Sequence, residues 1–200
     1  MKPLLRLGVL GSGKGSNFLA IHEAIQAGKL HAEIRLVVSD REDAGIVEHA
    51  RRLGYPIWVL PLSRYKTRLE PELEGELVER LREAGCEWVI LAGYMRVVKA
   101  PLLEAYRGRI LNIHPSLLPD FKGLEAWKQA LAAGVKKTGC TVHYVDESLD
   151  GGEILAQREV PVWPDDTPEE LHRRIQEAEH ILYPEVLEKL WQKEHGLTLD

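Results

Sequence analysis

The chain has 200 residues and a formal net charge of −5 at pH 7. A chain of this length buries roughly 70% of its extended surface, so we expect one folded domain over residues 1–200. The acidic balance, without a basic stripe, argues against a nucleic-acid partner. No apolar run approaches the roughly 18 residues of a membrane span, so we expect no membrane association.

Residue usage also indicates where the protein works. Cys86 and Cys140 lie far apart without a CxxC spacing, so we expect buried free thiols in a reducing cytoplasm. The chain contains only two asparagines, Asn17 and Asn112. Scarce asparagine, methionine and cysteine beside abundant Glu and Arg are typical of a thermophile. In such a chain each retained asparagine is a candidate for a function.

Apolar runs alternate with helical patterns through the first half of the chain. Buried strands are predicted at 4–10, 33–39, 56–60, 88–92 and 109–114. Helices are predicted at 18–27, 43–53, 70–84, 100–106 and 124–133. Strands that alternate with helices, without hairpin turns, predict an α/β fold with a Rossmann-like, mostly parallel sheet flanked by helices. Ligands of such folds bind beyond the carboxyl ends of the strands.

The C-terminal half carries a different pattern. Residues 138–145 alternate in polarity and face a further strand at 153–162, which predicts an antiparallel addition to the sheet. Thr167, Pro168 and Glu170 form the signature of a capped helix start. We expect that helix to run to about Tyr183, where Pro184 kinks or breaks it, and a last helix to reach about residue 194.

A glycine-rich turn, residues 11–17, joins the first strand to the first helix. A phosphate loop of the GxxxxGK[ST] type would need Ser or Thr after Lys14. A dinucleotide-binding fingerprint would need its third glycine one residue later, although Asp40 could serve as its ribose-binding acid. A single phosphate held by Gly15, Ser16 and Asn17 at the helix start is the favoured interpretation. A plain tight turn with a helix cap is the remaining alternative.

The run from Leu111 to Pro119 reads as a buried strand that ends on polar side chains. Asn112 and His114 are two residues apart, so both point to one face of the strand. The amide can donate to an oxyanion, and the imidazole can carry a proton. Asp150, before Gly151-Gly152, is the best candidate for a carboxylate that holds the imidazole in its charged form. A structural histidine and a solvated acidic turn are the alternatives.

Two further segments are candidate ligand contacts. Residues 93–98 leave the fourth strand at the ligand edge, and their apolar composition suits a wall for a flat organic ligand. Core packing by Met95, Val97 and Val98 is the alternative. Arg68 precedes a charged helix and could meet an anion. No GxSxG elbow and no metal-ligand spacing occurs, so we expect neither a covalent nucleophile nor a catalytic metal.

Five motifs stand out along the chain: residues 13–17, 91–96, 111–119 and 149–152, and Glu179-His180 with Tyr183-Pro184. Through them nearly the whole chain resembles the formyltetrahydrofolate-dependent formyltransferase family, and within it the branch that acts on glycinamide ribonucleotide.

The resemblance implies that the formyl group of 10-formyltetrahydrofolate, a cosubstrate, passes to the amine of glycinamide ribonucleotide in purine synthesis. Asn112, protonated His114 and Asp150 would be the catalytic trio, with Asp150 assisting proton transfer. Gly15, Ser16, Asn17, Gln176 and Glu179 would bind the ribonucleotide. The folate would contact Arg68, Met95, Arg96, Val97, Val98, Asn112, Asp146, Glu147, Ser148, Leu149 and Asp150.

The same resemblance suggests small-molecule substrates, no metal, no ATP and a homodimer. A formyltetrahydrofolate hydrolase would use similar residues, usually with an added N-terminal regulatory domain that we do not expect here. A methionyl-tRNA formyltransferase would need an RNA-binding domain and basic charge. A nucleotide-binding module without chemistry is the alternative from another class, and the Asn112–His114 pair argues against it.

Overall fold

A computed structural model describes residues 2–197 of the chain. These residues form seven strands and six helices, which alternate through the first five strands. The strands are β1 (Leu5–Leu10), β2 (Ala32–Ser39), β3 (Ile57–Val59), β4 (Trp88–Leu91), β5 (Ile110–His114), β6 (Lys137–Tyr144) and β7 (Ile154–Pro161). The helices are α1 (Ser16–Gln26), α2 (Gly45–Leu53), α3 (Pro71–Glu83), α4 (Ala100–Ala105), α5 (Ala126–Ala133) and α6 (Pro168–Glu194).

All seven strands belong to one sheet, in the order β3-β2-β1-β4-β5-β6-β7. The first five strands pair in parallel, and β6 and β7 are added antiparallel beyond β5. The α/β fold with a mostly parallel sheet and an antiparallel C-terminal addition is therefore confirmed. Because β1, β4 and β5 are parallel neighbours, their carboxyl ends lie along one edge.

Two hydrophobic clusters cover the two faces of the sheet. One joins the sheet to α1, α2 and α6 through side chains such as Phe18, Ile46 and Leu187. The other joins it to α3 and α4 through Leu77 and Leu102. With both faces covered, the loops beyond the strand ends are the open part of the molecule.

The C-terminal helix differs from the sequence prediction. The capped start at Thr167 is confirmed, with reciprocal bonds to Glu170. The expected break is not present, because α6 continues through Pro184 to Glu194 as one helix. Packing on both sides of the proline accounts for this: Tyr183 is fully buried and its hydroxyl donates to two strand carbonyls, and Leu187 is also fully buried. Burial of both flanks outweighs the lost backbone hydrogen bond.

The structure also bears on the two cysteines and on membrane-spanning helices. Cys86 and Cys140 are both free and buried, as predicted. Among residues 2–197, no helix is long and apolar enough to cross a membrane.

Candidate active site

The central side chains of the site stand at the carboxyl end of β5. β5 pairs with β4 on one side and with β6 on the other, so its end is flanked by two strands. His114 is almost fully buried and Asn112 is half-buried. The antiparallel register places His143 opposite Asn112 and Thr141 opposite His114. Directly paired residues share a face of the sheet, so these four side chains lie together.

His114 is held between two hydrogen-bond acceptors. Its Nε2 lies 2.9 Å from the carbonyl oxygen of Phe121. Its Nδ1 lies 3.5 Å from Oδ2 of Asp150. A carbonyl oxygen can only accept, and a carboxylate is an acceptor, so the imidazolium form, with a proton on each nitrogen, matches both neighbours. The three residues of the predicted trio are therefore close in space, with the carboxylate at the imidazole.

Asp150 is fixed by the loop that also contacts His114. Its Oδ2 accepts a hydrogen bond from the backbone N–H of Gly123 at 2.9 Å. Its backbone has φ of 50°, a left-handed conformation that aspartate tolerates better than most residues. Gly152 follows two residues later, where a Cβ would lie 1.8 Å from the carbonyl oxygen of Tyr144. A glycine is therefore required for the chain to return to β7 directly after the carboxylate.

Asn112 has a partner that the sequence argument missed. Its Nδ2 lies 3.3 Å from Nε2 of His143, and Nδ1 of His143 lies 2.8 Å from the carbonyl oxygen of Tyr144. Burial lowers the pKa of His143 and favours its neutral form. The alternating pattern at 138–145 held a signal for this residue, but finding it required the pairing of β6 with β5.

The glycine-rich turn forms the start of α1, as expected. Gly15 is the residue before the helix, with φ of 79°. A Cβ there would lie 2.8 Å from the Cα of Ile46, so only glycine fits. Ser16 and Asn17 are the first residues of the helix, where backbone N–H groups are free to bind an anion.

Asp40, the candidate ribose-binding acid, is instead paired with Arg96 at 2.7 Å, which leaves no support for a dinucleotide site.

Glu179 of α6 reaches this turn. Its Oε2 accepts a hydrogen bond of 3.1 Å from Nδ2 of Asn17. The carboxyl is almost fully buried, and burial raises its pKa to about 7. Gln176 stands three residues earlier and half-buried on the same face of α6. Four of the five predicted ribonucleotide contacts thus fall in one place, with Gln176 beside them.

The distance between the turn and the trio follows from the sheet order. Residues 15–17 follow β1 and His114 ends β5, with β4 between those strands. Neighbouring strands are 4.7–4.9 Å apart, so the two sites are separated by roughly 10 Å across the sheet. A small molecule with an anionic end and a reactive end can span that distance.

The segment after β4, residues 93–98, contains both exposed and buried apolar side chains. Met95 and Val97 are exposed, whereas Val98 is buried in the cluster under α3 and α4. Ser12 accepts a hydrogen bond of 2.9 Å from the N–H of Met95, which ties the segment to the glycine-rich turn. The open apolar surface therefore belongs to Met95 and Val97, and Val98 belongs to the core.

Arg96 links that segment to the loop that carries Arg68. Its guanidinium pairs with Asp40 and donates to the carbonyl oxygens of Tyr65 and Arg68. The N–H of Val97 also donates to the carbonyl oxygen of Thr67 at 2.7 Å. Arg68 itself is exposed, with its guanidinium 4.4 Å from the centre of the Tyr65 ring. The side chain of Arg96 is therefore engaged with protein groups, whereas Arg68 is exposed on the surface beside Tyr65.

The acidic loop before Asp150 forms a turn of its own. Oδ1 of Asp146 accepts hydrogen bonds from the backbone N–H and the hydroxyl of Ser148. Both bonds favour the ionised form and lower the pKa of Asp146. Glu147 and Leu149 are exposed. The loop thus presents two acidic side chains, Asp146 and Glu147, and one apolar side chain, Leu149, beside the trio.

Comparison with known protein families gives the class of this fold and site. The family model described as "Formyl transferase" matches residues 5–187 of the chain. A crystal structure of glycinamide ribonucleotide transformylase 1 from Symbiobacterium toebii matches with a TM-score of 0.90 and 46% identity, covering 95% of this chain and 89% of that one.

Similarity to named proteins shows which family of formyl transferases the chain belongs to. The phosphoribosylglycinamide formyltransferase of Bacillus subtilis is 41% identical over 185 residues, which are 92% of this chain and 94% of that protein. The chain belongs to the phosphoribosylglycinamide formyltransferase family. The trifunctional purine biosynthetic protein adenosine-3 of Drosophila pseudoobscura is 44% identical over 188 residues, and this chain spans 14% of its length.

Proposed function

We propose that this chain transfers the formyl group of 10-formyltetrahydrofolate to the amine of glycinamide ribonucleotide, a step of de novo purine biosynthesis. Membership of the family supports the reaction, and the observation that carries it is the His114–Asp150 contact of 3.5 Å beside Asn112. In the reaction the amine nitrogen bonds to the formyl carbon, and the bond from that carbon to N10 of the folate breaks. The proton lost by the amine passes to N10.

Asn112 and His114 stabilise the negative charge that develops on the formyl oxygen. Asn112 can donate a hydrogen bond from its amide, and His114 lies on the same face of β5, in a place that is largely shielded from water. His114 donates to the formyl oxygen when its Nε2–H turns from the carbonyl oxygen of Phe121 to the substrate. Donors that are already fixed before the reaction lower the barrier most, because no solvent has to reorganise. The imidazolium adds a full charge to the oxyanion site.

Asp150 has two tasks in this proposal. Its carboxylate lies 3.5 Å from Nδ1 of His114 and orients the imidazole, and the Gly123 N–H keeps the carboxylate in place. It also assists the transfer of the proton from the attacking amine to the leaving N10. Acid–base assistance of this kind contributes about 10²–10⁴-fold, and holding two substrates together contributes up to roughly 7–11 kcal/mol.

Binding is divided between two regions. The phosphate of the ribonucleotide binds at Gly15, Ser16 and Asn17, and Gln176 and Glu179 complete that site. The folate binds against Met95, Val97 and the loop 146–150, with the backbone of Arg96, buried Val98 and Asn112 at its inner end. Arg68 meets the anionic tail.

A comparison of formyl acceptors tests the proposal. The protein is incubated with 10-formyltetrahydrofolate and glycinamide ribonucleotide, methionyl-tRNA or water alone, without ATP or added metal. We expect formylated ribonucleotide as the main product. Equal loss of the formyl group with water alone would favour a hydrolase, and formylation of the tRNA or no reaction at all would also contradict the proposal.

The remaining expectations are proposals of the same kind. The chain forms a single formyltransferase domain with a phosphate-binding N-terminal half and a catalytic, folate-binding C-terminal half. It works in the cytoplasm of a thermophile, in agreement with two free buried thiols and two asparagines. A homodimer rests on family resemblance, and light scattering in solution tests it.

A further inference from the structure

His143 stands where it can control the orientation of a catalytic amide. It lies directly opposite Asn112 in the β5–β6 ladder and is almost fully buried. Its Nε2 is 3.3 Å from Nδ2 of Asn112. Within residues 2–197, this is the one hydrogen bond that the Asn112 side chain makes.

The protonation of His143 follows from its second contact. Its Nδ1 lies 2.8 Å from the carbonyl oxygen of Tyr144, which can only accept a hydrogen bond, so Nδ1 carries a proton. The ring is almost fully buried, and burial lowers the pKa of His143, which disfavours a second proton. His143 is therefore neutral, and its Nε2 presents a lone pair.

A lone pair on Nε2 selects one of the two orientations of the Asn112 amide. The amide nitrogen can donate to it, whereas the amide oxygen would face another acceptor. One N–H of Asn112 is thus used by His143, and the other N–H remains to donate. With the amide reversed, Asn112 would turn an acceptor toward the formyl oxygen and repel the developing charge.

We propose that His143 is a positioning residue that fixes the Asn112 amide with its free N–H toward the formyl oxygen, an inference that rests on the proposed function. It acts through Asn112 and does not touch the reacting atoms.

Kinetics of two substitutions test this role. His143→Leu removes the acceptor at similar volume, and His143→Gln can restore one. We expect His143→Leu to lower kcat by roughly 10- to 100-fold, a part of what a lost oxyanion donor costs, with both KM values little changed. We expect His143→Gln to recover much of the loss. His49→Leu, at a histidine of α2 outside the site, is the matched control with unchanged kcat.

A double substitution separates positioning from general structural support. In an Asn112→Ala background, His143→Leu should cost almost nothing further, because the residue it positions is gone. An undiminished loss in that background would overturn the proposal. Thermal unfolding of each variant shows whether it is folded at the assay temperature.

The composition of the chain makes a direct spectroscopic test possible. With only two asparagines, selective 15N-asparagine labelling gives two side-chain amide pairs, and Asn17→Ser identifies which belongs to Asn112. We expect His143→Leu to change the NMR chemical shifts of the Asn112 side-chain amide, and His143→Gln to change them less. An unmoved Asn112 pair overturns the role of His143 whatever the kinetics, whereas absence of formyl transfer by the unsubstituted protein overturns the proposed function instead.

Discussion

Nδ1 of His114 and Oδ2 of Asp150 approach to 3.5 Å, although one side chain ends β5 and the other lies in the loop between β6 and β7. A single loop holds both residues. The carbonyl oxygen of Phe121 faces Nε2 of His114, and the N–H of Gly123 donates to Asp150. Phe121 and Asp150 have positive φ values of 53° and 50°. Such conformations cost about 1–3 kcal/mol each, which the packing and hydrogen bonds of the loop must offset.

Asp150→Asn is the most conservative test of the carboxylate. The amide keeps an oxygen for the Gly123 N–H and tolerates the positive φ, but it removes the negative charge beside His114. We expect kcat to fall by about 10²–10⁴-fold with small changes in both KM values. Glu153→Gln, which removes an exposed charge three residues later, should leave kcat unchanged. Near-normal turnover by Asp150→Asn would show that the carboxylate is not required.

Asn17→Ala should affect one substrate and spare the other. The side chain lies at the start of α1 and donates to Glu179, so its loss disturbs the ribonucleotide region alone. We expect KM for the ribonucleotide to rise by about 10-fold, the equivalent of one hydrogen bond of about 1.4 kcal/mol. KM for the folate is the internal control. A change in folate KM alone would refute the assignment of this turn.

Arg96→Ala should loosen the wall of the folate site. The Arg96–Asp40 pair has side chains that are 15% and 7% exposed, so removal of one partner leaves a buried charge. We expect a loss of about 3–5 kcal/mol in the free energy of unfolding and a larger rise in KM for the folate than for the ribonucleotide.

Arg64→Ala provides the matched control for Arg96. Arg64 lies in the loop between β3 and α3 that carries Arg68, and it pairs with Glu70, but its side chain is 77% exposed. Its removal should cost at most about 1 kcal/mol. If both arginine variants lose equal stability, or if Arg96→Ala leaves the folate KM unchanged, Arg96 does not link the two segments.

Glu179 predicts an unusual dependence of stability on pH. Its pKa rises from 4.5 in the unfolded chain to about 7 in the folded protein because the carboxyl is buried. Below pH 4.5 the carboxyl of Glu179 is protonated in both the folded and the unfolded state, and its titration does not change the free energy of unfolding. As the pH rises toward 7, the unfolded chain releases the proton first, so the free energy of unfolding falls by up to about 3 kcal/mol.

Glu179→Gln removes this penalty and keeps an acceptor for Asn17. Urea unfolding should therefore show the variant gaining stability over the unsubstituted protein between about pH 5 and pH 8. Glu177→Gln, at an exposed carboxylate of the same helix, should show no such trend. A stability difference for Glu179→Gln that is independent of pH would mean that the carboxyl titrates normally in the fold.

The sequence pattern was sufficient for features that depend on neighbours along the chain. Period-2 placement put Asn112 and His114 on one face of β5, and the Thr167–Glu170 cap follows from local chemistry. Alternation of strands and helices predicted the parallel sheet and its ligand edge. These features are local, or follow from general rules of connection.

Contacts between distant segments were beyond the sequence argument. The Asp40–Arg96 pair joins the end of β2 to the segment after β4. His143 meets Asn112 only because β6 pairs with β5, and no turn signal specified that pairing. The expected break of the helix at Pro184 was wrong, since the burial of its neighbours on the sheet cannot be read from a local rule.

The most direct test of the account is the turnover of His114→Ala in formyl transfer to glycinamide ribonucleotide, measured beside the unsubstituted protein at saturating concentrations of both substrates. In the proposed mechanism His114 stabilises the charge that develops on the formyl oxygen, so we expect kcat to fall by about 10²–10⁴-fold while both substrates still bind. A variant that transfers the formyl group at a near-normal rate would contradict the catalytic role of His114.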